Sequence, residues 1–166
     1  HYHIERGMIN IYNQDDDSIE ADVYQGYSNE EVKKGVYRPG EGIIGTVFKT
    51  GKPTIIMDIK SEPRFLNRTG ARNKGGDDKV SFICVPVLLD GSVIGTISVD
   101  MINNDGRDLN EEFHVLTTIA IMIAQFLKSR IDIIENERKL RQENEALRKK
   151  LSGSSVQGKI IGRSKV

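Results

Sequence analysis

The stretch Ser81–Asp100, SFICVPVLLDGSVIGTISVD, sets two apolar runs on either side of Asp90-Gly91. A type I′ turn needs φ > 0 at both central positions, which Asp-Gly accepts readily, so the stretch predicts an antiparallel hairpin. With Asp90 and Gly91 as the loop, Leu89 faces Ser92, and counting outward by twos sets Val87 by Ile94, Val85 by Thr96, Ile83 by Ser98 and Ser81 by Asp100. That register predicts one partly polar face carrying Ser81, Thr96, Ser98 and Asp100. It leaves Phe82 with Val99 and Cys84 with Ile97 on an opposite packing face. Pro86 cannot donate to the ladder, so an edge or a bulge is expected near it, and a bulge would shift the register.

Upstream, Glu5–Ser28, ERGMINIYNQDDDSIEADVYQGYS, holds two β-rich runs, Gly7–Tyr12 and Ile19–Gln25, around an Asn/Asp/Ser cluster, the pattern of a second hairpin. Downstream, Leu109 to Leu151 reads as one long helix. With Leu116 at heptad position a, the a series is Leu116, Ile123, Arg130, Glu137, Asn144 and Leu151, and the d series is Ile119, Phe126, Ile133, Leu140 and Leu147. Every d is apolar. Ala120, Leu127 and Ile134 add a second stripe in the first half, as expected of a helix that packs on a sheet and on a partner together. Beyond Leu140 only a narrow seam remains among Glu, Lys and Arg, which is coiled-coil composition. At about 1.5 Å per residue the helix reaches roughly 60 Å and is expected to project. A parallel homodimer follows, with Asn144 as the polar a residue that fixes register; Arg130 and Glu137 weaken the middle of the seam.

A chain of 166 residues accommodates one well-buried domain and an appendage. Lys+Arg and Asp+Glu both number 24, so no bulk charge holds nucleic acid or anionic lipid, and any anion preference is local. The single cysteine excludes an intrachain disulfide and favours a reducing compartment. No leader is legible at the start, and the apolar run Ile119–Ile123 is far too short for a membrane span, so a cytoplasmic chain without membrane contact is expected. The opening HYHI stands so close to a strand that sequence upstream of it is expected.

Two motifs resemble nucleotide sites and are set aside. Gly40, Gly42 and Gly45 spell G-x-G-x-x-G, with Asp58 at about the ribose-binding distance. The segment before them, EEVKKGVYRP, is charged and ends in proline, and the helix after them stops within about two turns at Gly51-Lys52-Pro53; a crossover needs a dozen or more residues. The glycines read instead as a turn into a short, closely packed helix. Gly153–Ile160, GSSVQGKI, matches a phosphate loop except that Ile160 replaces the magnesium-binding hydroxyl and a charged helix precedes it. It reads as a linker.

The long irregular stretch Lys60–Lys79, KSEPRFLNRTGARNKGGDDK, carries six basic residues (Lys60, Arg64, Arg68, Arg72, Lys74, Lys79) against three acidic (Glu62, Asp77, Asp78). Loops of this length are usually functional or disordered. It lies between the short strand TIIMD and the strand carrying Ser81, where it is expected to cover the sheet. Arg64 and Arg68 share a face if PRFLNR turns helically, and two guanidiniums over a polar face suit a small anion. The candidate ligand-binding residues are therefore Asp58, Arg64, Arg68, Ser81, Thr96, Ser98 and Asp100. No catalytic set is legible: His1 and His3 are terminal, His114 sits beside the stripe of the long helix, and Cys84 reads as an inert core thiol. Neither a metal site nor a cofactor is expected.

Glu5–Asn13 ERGMINIYN, Pro39–Ile59 PGEGIIGTVFKTGKPTIIMDI, Ser81–Asp100 and Asn110–Gln125 NEEFHVLTTIAIMIAQ together resemble a GAF domain, most of all that of sigma-54-dependent activators of the NifA and FhlA type. The resemblance covers most of residues 4–130. It implies an α+β fold: a twisted antiparallel sheet with helices on one face and a small-molecule pocket on the other. It implies dimers through terminal helices and a helical linker that controls an attached AAA+ ATPase, whose start the closing KIIGRSKV resembles. The domain layout expected is 1–130 GAF, 131–152 coiled-coil linker and 153–166 a loop leading to the ATPase. Small anions such as 2-oxoglutarate and formate are ligands of the family; cyclic nucleotides and iron are discounted because their signatures do not match here. The family's usual first helix is expected to be missing or truncated here. Two rival readings stand beside the sensor. A GAF-type free methionine sulfoxide reductase needs several cysteines, and Cys84 alone forms no resolving disulfide. The other is a dimerisation module with no ligand.

Overall fold

The computed structural model describes residues 4–74 and 78–157. Strands β1 Ile4–Asn13, β2 Ser18–Gln25, β3 Thr54–Ile56, β4 Val80–Leu89 and β5 Ser92–Ile102 form one antiparallel sheet in the order β2-β1-β5-β4-β3. Helices α1 Asn29–Lys34 and α2 Gly42–Thr50 and the 3-10 turns Ile59–Ser61 and Ala71–Lys74 come between the two hairpins. Helix α3 spans Asn110–Gln157.

Both expected hairpins form. Asp90 and Gly91 take φ of 49° and 83°, the left-handed pair that a two-residue turn requires. The register of the second hairpin departs from the simple count. Leu89 pairs with Ser92 and Leu88 with Val93, but Val87 then pairs with Gly95, leaving Ile94 as an extra residue. From there every pair moves by one: Pro86 opposes Thr96, Cys84 opposes Ser98, Phe82 opposes Asp100 and Ser81 opposes Met101. A one-residue shift exchanges the faces. Phe82 and Cys84 therefore join Thr96, Ser98 and Asp100, whereas Ser81 passes to the opposite face.

The two faces carry separate cores. On one, Ile83, Val85 and Val87 of β4 and Ile97, Val99 and Met101 of β5 pack with Leu109, Leu116, Ala120 and Ala124. On the other, Phe82 and Cys84 pack with Ile19, Tyr37, Ile43, Ile44, Val47, Ile56 and Ile59, which brings α2 against the sheet. The glycines read as a close approach are that: a Cβ on Gly45 would stand 2.1 Å from the Arg38 carbonyl oxygen. Gly51 ends the helix at φ 64°, in the left-handed cap position.

The chain divides after Gln125 into two compact units. Within the first, the buried stripe of α3 runs through Leu116, Ala120 and Ala124. Leu116 is a core residue, 6% exposed, and so is not available as the seam residue it was expected to be. Ile123 is partly buried on the same core, whereas Val115, Ile119 and Met122 are exposed. Within the second unit, Phe126, Ile133, Leu140, Leu147 and Leu151 are all exposed, and the Asn144 side-chain amide donates to the Leu140 carbonyl at 3.2 Å. The helix passes the expected end at Leu151 and continues to Gln157, so Gly153–Gln157 of the phosphate-loop lookalike is helical rather than loop. The closing KIIGRSKV lies outside the described residues. Among the described residues, no helix is long and apolar enough to cross a membrane, and no cluster of His, Cys, Asp and Glu has metal-site geometry.

Candidate functional site: a charged cup on one face of the sheet

Alternation along β5 places Thr96, Ser98 and Asp100 on one face, and all three are buried. The neighbouring β1 sets Asn10 against Thr96, Met8 against Ser98 and Arg6 against Asp100. The Asn10 amide donates to Thr96 Oγ1 at 3.2 Å. Burial pushes the Cys84 thiol up to about 12, against a smaller opposing pull from Thr96. This polar ribbon runs under α2 and ends at a carboxylate.

Asp100 has no solvent exposure. Its close partner is Arg72, from the second 3-10 turn, whose Nη2 donates to Oδ1. Two longer contacts complete the set: the Tyr27 hydroxyl at 3.5 Å and Arg6 Nη1 at 3.9 Å, both to Oδ2. The Arg72 guanidinium lies 4.4 Å from the Phe65 ring centroid and 5.7 Å from that of Phe82, so it stands beside an aromatic pair while it also meets the carboxylate. Burial pushes the Asp100 carboxyl above the usual aspartate range, against the pull first of Arg72 and then of Arg6. Burial likewise lifts the Tyr27 phenol to about 12 and raises that of Tyr37, so both stay neutral donors.

Arg72 borders two cavities. The inner one, about 20 Å³, is walled by Met8, Tyr27, Tyr37, Ile43 and Ile44 and has room for about one water. The outer one, about 360 Å³, is lined among the described residues by Arg6, Lys60 and Arg72, by Glu5 and Asp78, and by apolar side chains that include Phe65 and Ile59. That volume lies in the range of small-ligand sites.

The structure redistributes the residues expected to form the site. Thr96, Ser98 and Asp100 share the cup. Ser81 does not: its hydroxyl donates to the Met57 carbonyl at 2.6 Å and accepts from Asn103 at 3.2 Å on the other face. Asp58 caps the first 3-10 turn, accepting from the Lys60 N–H at 2.9 Å. Arg64 is exposed and forms a bidentate pair with Glu62 at 2.8 and 2.9 Å, which holds the Glu62 carboxyl down to about 2. Arg68 donates to the Val36 carbonyl at 2.6 Å, pairs with Glu41 and lies 5.5 Å from the Tyr37 ring, tying the loop to the entrance of α2. Arg64 and Arg68 thus do not form a paired clamp. Arg72 takes that place. Its sequence signal was only one basic residue among six, and nothing local distinguishes it. Arg6 and Tyr27 carried no signal, because a strand pairing and a chain reversal bring them to Asp100.

Residues 2–127 match the GAF domain family. The chain is 40% identical to the nitrogen fixation protein VnfA of Azotobacter vinelandii over 99% of its own length and 32% of that protein's. It is 30% identical to a Nif-specific regulatory protein of Azospirillum brasilense, over 88% of its own length and 24% of that protein's. The chain therefore spans a third or less of these relatives. Among solved structures, the GAF domain of A. aeolicus nlh2 in an inactive state superimposes with a TM-score of 0.67 at 26% identity, covering 76% of this chain and 75% of that one.

Proposed function

The chain belongs to the GAF domain family, and we propose that it is the small-molecule-sensing domain of a cytoplasmic, sigma-54-dependent transcriptional activator. The name of the Nif-specific regulatory protein and the greater length of both relatives support a control role toward further domains, and the resemblance to sigma-54-dependent activators makes an AAA+ ATPase one of them. The effector is a small anion. The observation that carries this is the convergence of Arg6 and Arg72 on one cavity with Lys60, where two guanidiniums face a single buried carboxylate. A bidentate oxyanion or carboxylate meets the planar geometry of a guanidinium edge.

The second half of the proposal is a homodimer through α3. The d residues Phe126, Ile133, Leu140 and Leu147 each expose half or more of their surface, and helices this charged and narrow seldom hold alone. Asn144 sits at the a position between them, where a buried polar pair selects one register. Effector binding matters only if two states of the dimer bind it unequally, a coupling of about 1–3 kcal/mol in typical cases. The domain contacts neither nucleic acid nor membrane in this reading, and it is not an enzyme. Reductase chemistry would need a reactive thiolate, and Cys84 is fully buried with its proton held far above neutrality.

Calorimetric titration of the purified chain with a panel of small oxyanions and carboxylates, paired with sedimentation across a wide concentration range, tests both halves. Saturable heat from at least one anion and a concentration-dependent dimer are expected. A monomer at every concentration ends the linker proposal, and silence across the whole panel reduces the domain to a scaffold.

A further inference from the structure

Arg6 and Arg72 each serve two places. Both approach Asp100, and both line the outer cavity. Asp100 is unexposed and the Arg72 side chain only 10% exposed, so neither charge is screened by water. The partnership is also incomplete. Arg6 stands at 3.9 Å, beyond hydrogen-bond range, and the buried Nε of Arg72 has no hydrogen-bond partner.

Resting on the anion-sensing reading above, we propose that Asp100 is a resident competitor: without effector it occupies Arg72 and Arg6, and an anion in the outer cavity binds by taking these cations over. Among the described residues, Arg6, Lys60 and Arg72 against Glu5, Asp78 and Asp100 leave no net charge, 3 − 3 = 0, so the attraction for an anion lies in the guanidinium edges turned to the cavity, and the carboxylate behind them works against it. A ligand that draws off both cations strands Asp100 beside Phe82, Tyr27 and Tyr37, where an unpaired buried charge costs several kcal/mol. The carboxyl then takes up a proton, its cheaper course in such surroundings. The groups facing it are Arg6 from β1, Tyr27 after β2, Tyr37 before α2 and Arg72; the two phenols stay protonated and contribute no compensating charge. Anion affinity is therefore expected to rise as pH falls. Asp100 would set the effector threshold as well as the shape of the cup.

The test compares wild type with Asp100→Asn, using nitrate and trifluoroacetate, planar and carboxylate probes that stay ionised throughout the range. Competition predicts that Asp100→Asn binds both at least about tenfold more tightly near neutral pH, and that the gap narrows toward acid as the wild-type carboxyl protonates. Equal or weaker binding by the folded variant overturns the competition and leaves the anion sensor standing; weaker binding would mean that Asp100 orients Arg72 for the ligand. No binding by either protein sinks the sensor and this proposal together. Should Asp100→Asn fail to fold, the pH dependence of wild-type binding decides, with Glu5→Gln and Asp78→Asn removing the other carboxylates of the cavity. Affinity that persists in rising toward acid in those variants supports the competition, and a flat profile overturns it.

Discussion

The two faces of the sheet are built from alternate residues of the same two strands, and they differ in kind. Under α3, β4 and β5 present Ile83, Val85, Val87, Ile97, Val99 and Met101, and the layer is sealed by Leu109, Leu116, Ala120 and Ala124. One residue out of step, the same strands present Thr96, Ser98 and Asp100, with Asn10 and Arg6 from β1. The first face is held by apolar burial, which is non-directional and forgiving of shape. The second combines an apolar layer under α2 with a chain of specific polar contacts that ends in a buried ion pair, where losing one member leaves the other uncompensated. A fold needs the first arrangement. The second adds what the proposed site needs.

Substitutions on the two faces should therefore differ in size and, above all, in pH dependence. The largest loss is expected on the sealed face. Ile83 is wholly buried there, and Ile83→Ala is predicted to cost about 4 kcal/mol in chemical denaturation, nearly independent of pH. On the cup face, Arg72→Met is predicted to cost about 3 kcal/mol near neutrality, because Asp100 loses its close partner. That loss should shrink toward about pH 4. The folded-state pKa of Asp100 is already raised, and removing Arg72 raises it further, so the folded variant binds a proton that the unfolded chain has released. Stability thus falls as pH rises through the window between the ordinary aspartate value and the raised one, and the variant falls more steeply than wild type. An Arg72→Met penalty that stays constant with pH would mean that the pair is not the buried charge described. Smallest is Arg64→Ala, which removes an exposed pair with Glu62 and should leave the melting temperature unchanged within error.

The comparison also explains how far the sequence could be read. Alternation within a single strand is certain, so Thr96, Ser98 and Asp100 were legible together from β5 alone. What faces them was not. The bulge at Val87/Leu88 reversed the partner strand, bringing Phe82 and Cys84 in and moving Ser81 out; Pro86 hinted at such a shift without giving its place. Asp90-Gly91, the glycines before α2 and the long helical stripe carry strong local signals, and each produced its element. The choice of arginine has no local signal at all. Arg64, Arg68 and Arg72 have the same chemistry within nine positions of one another, and only three-dimensional placement sends the first to Glu62, the second to Glu41 and the third to Asp100. The seam of α3 failed at Leu116 for a similar reason, since periodicity reports an apolar stripe and not which neighbour covers it.

That difference among the arginines gives the most direct test of the sensing account. Binding of trifluoroacetate, followed by its fluorine resonance, should be saturable in wild type, retained in Arg64→Ala and abolished in Arg72→Met under conditions where all three are folded. Binding that survives in Arg72→Met and disappears in Arg64→Ala would contradict the account, for the anion would then be held by the exposed loop rather than by the cup.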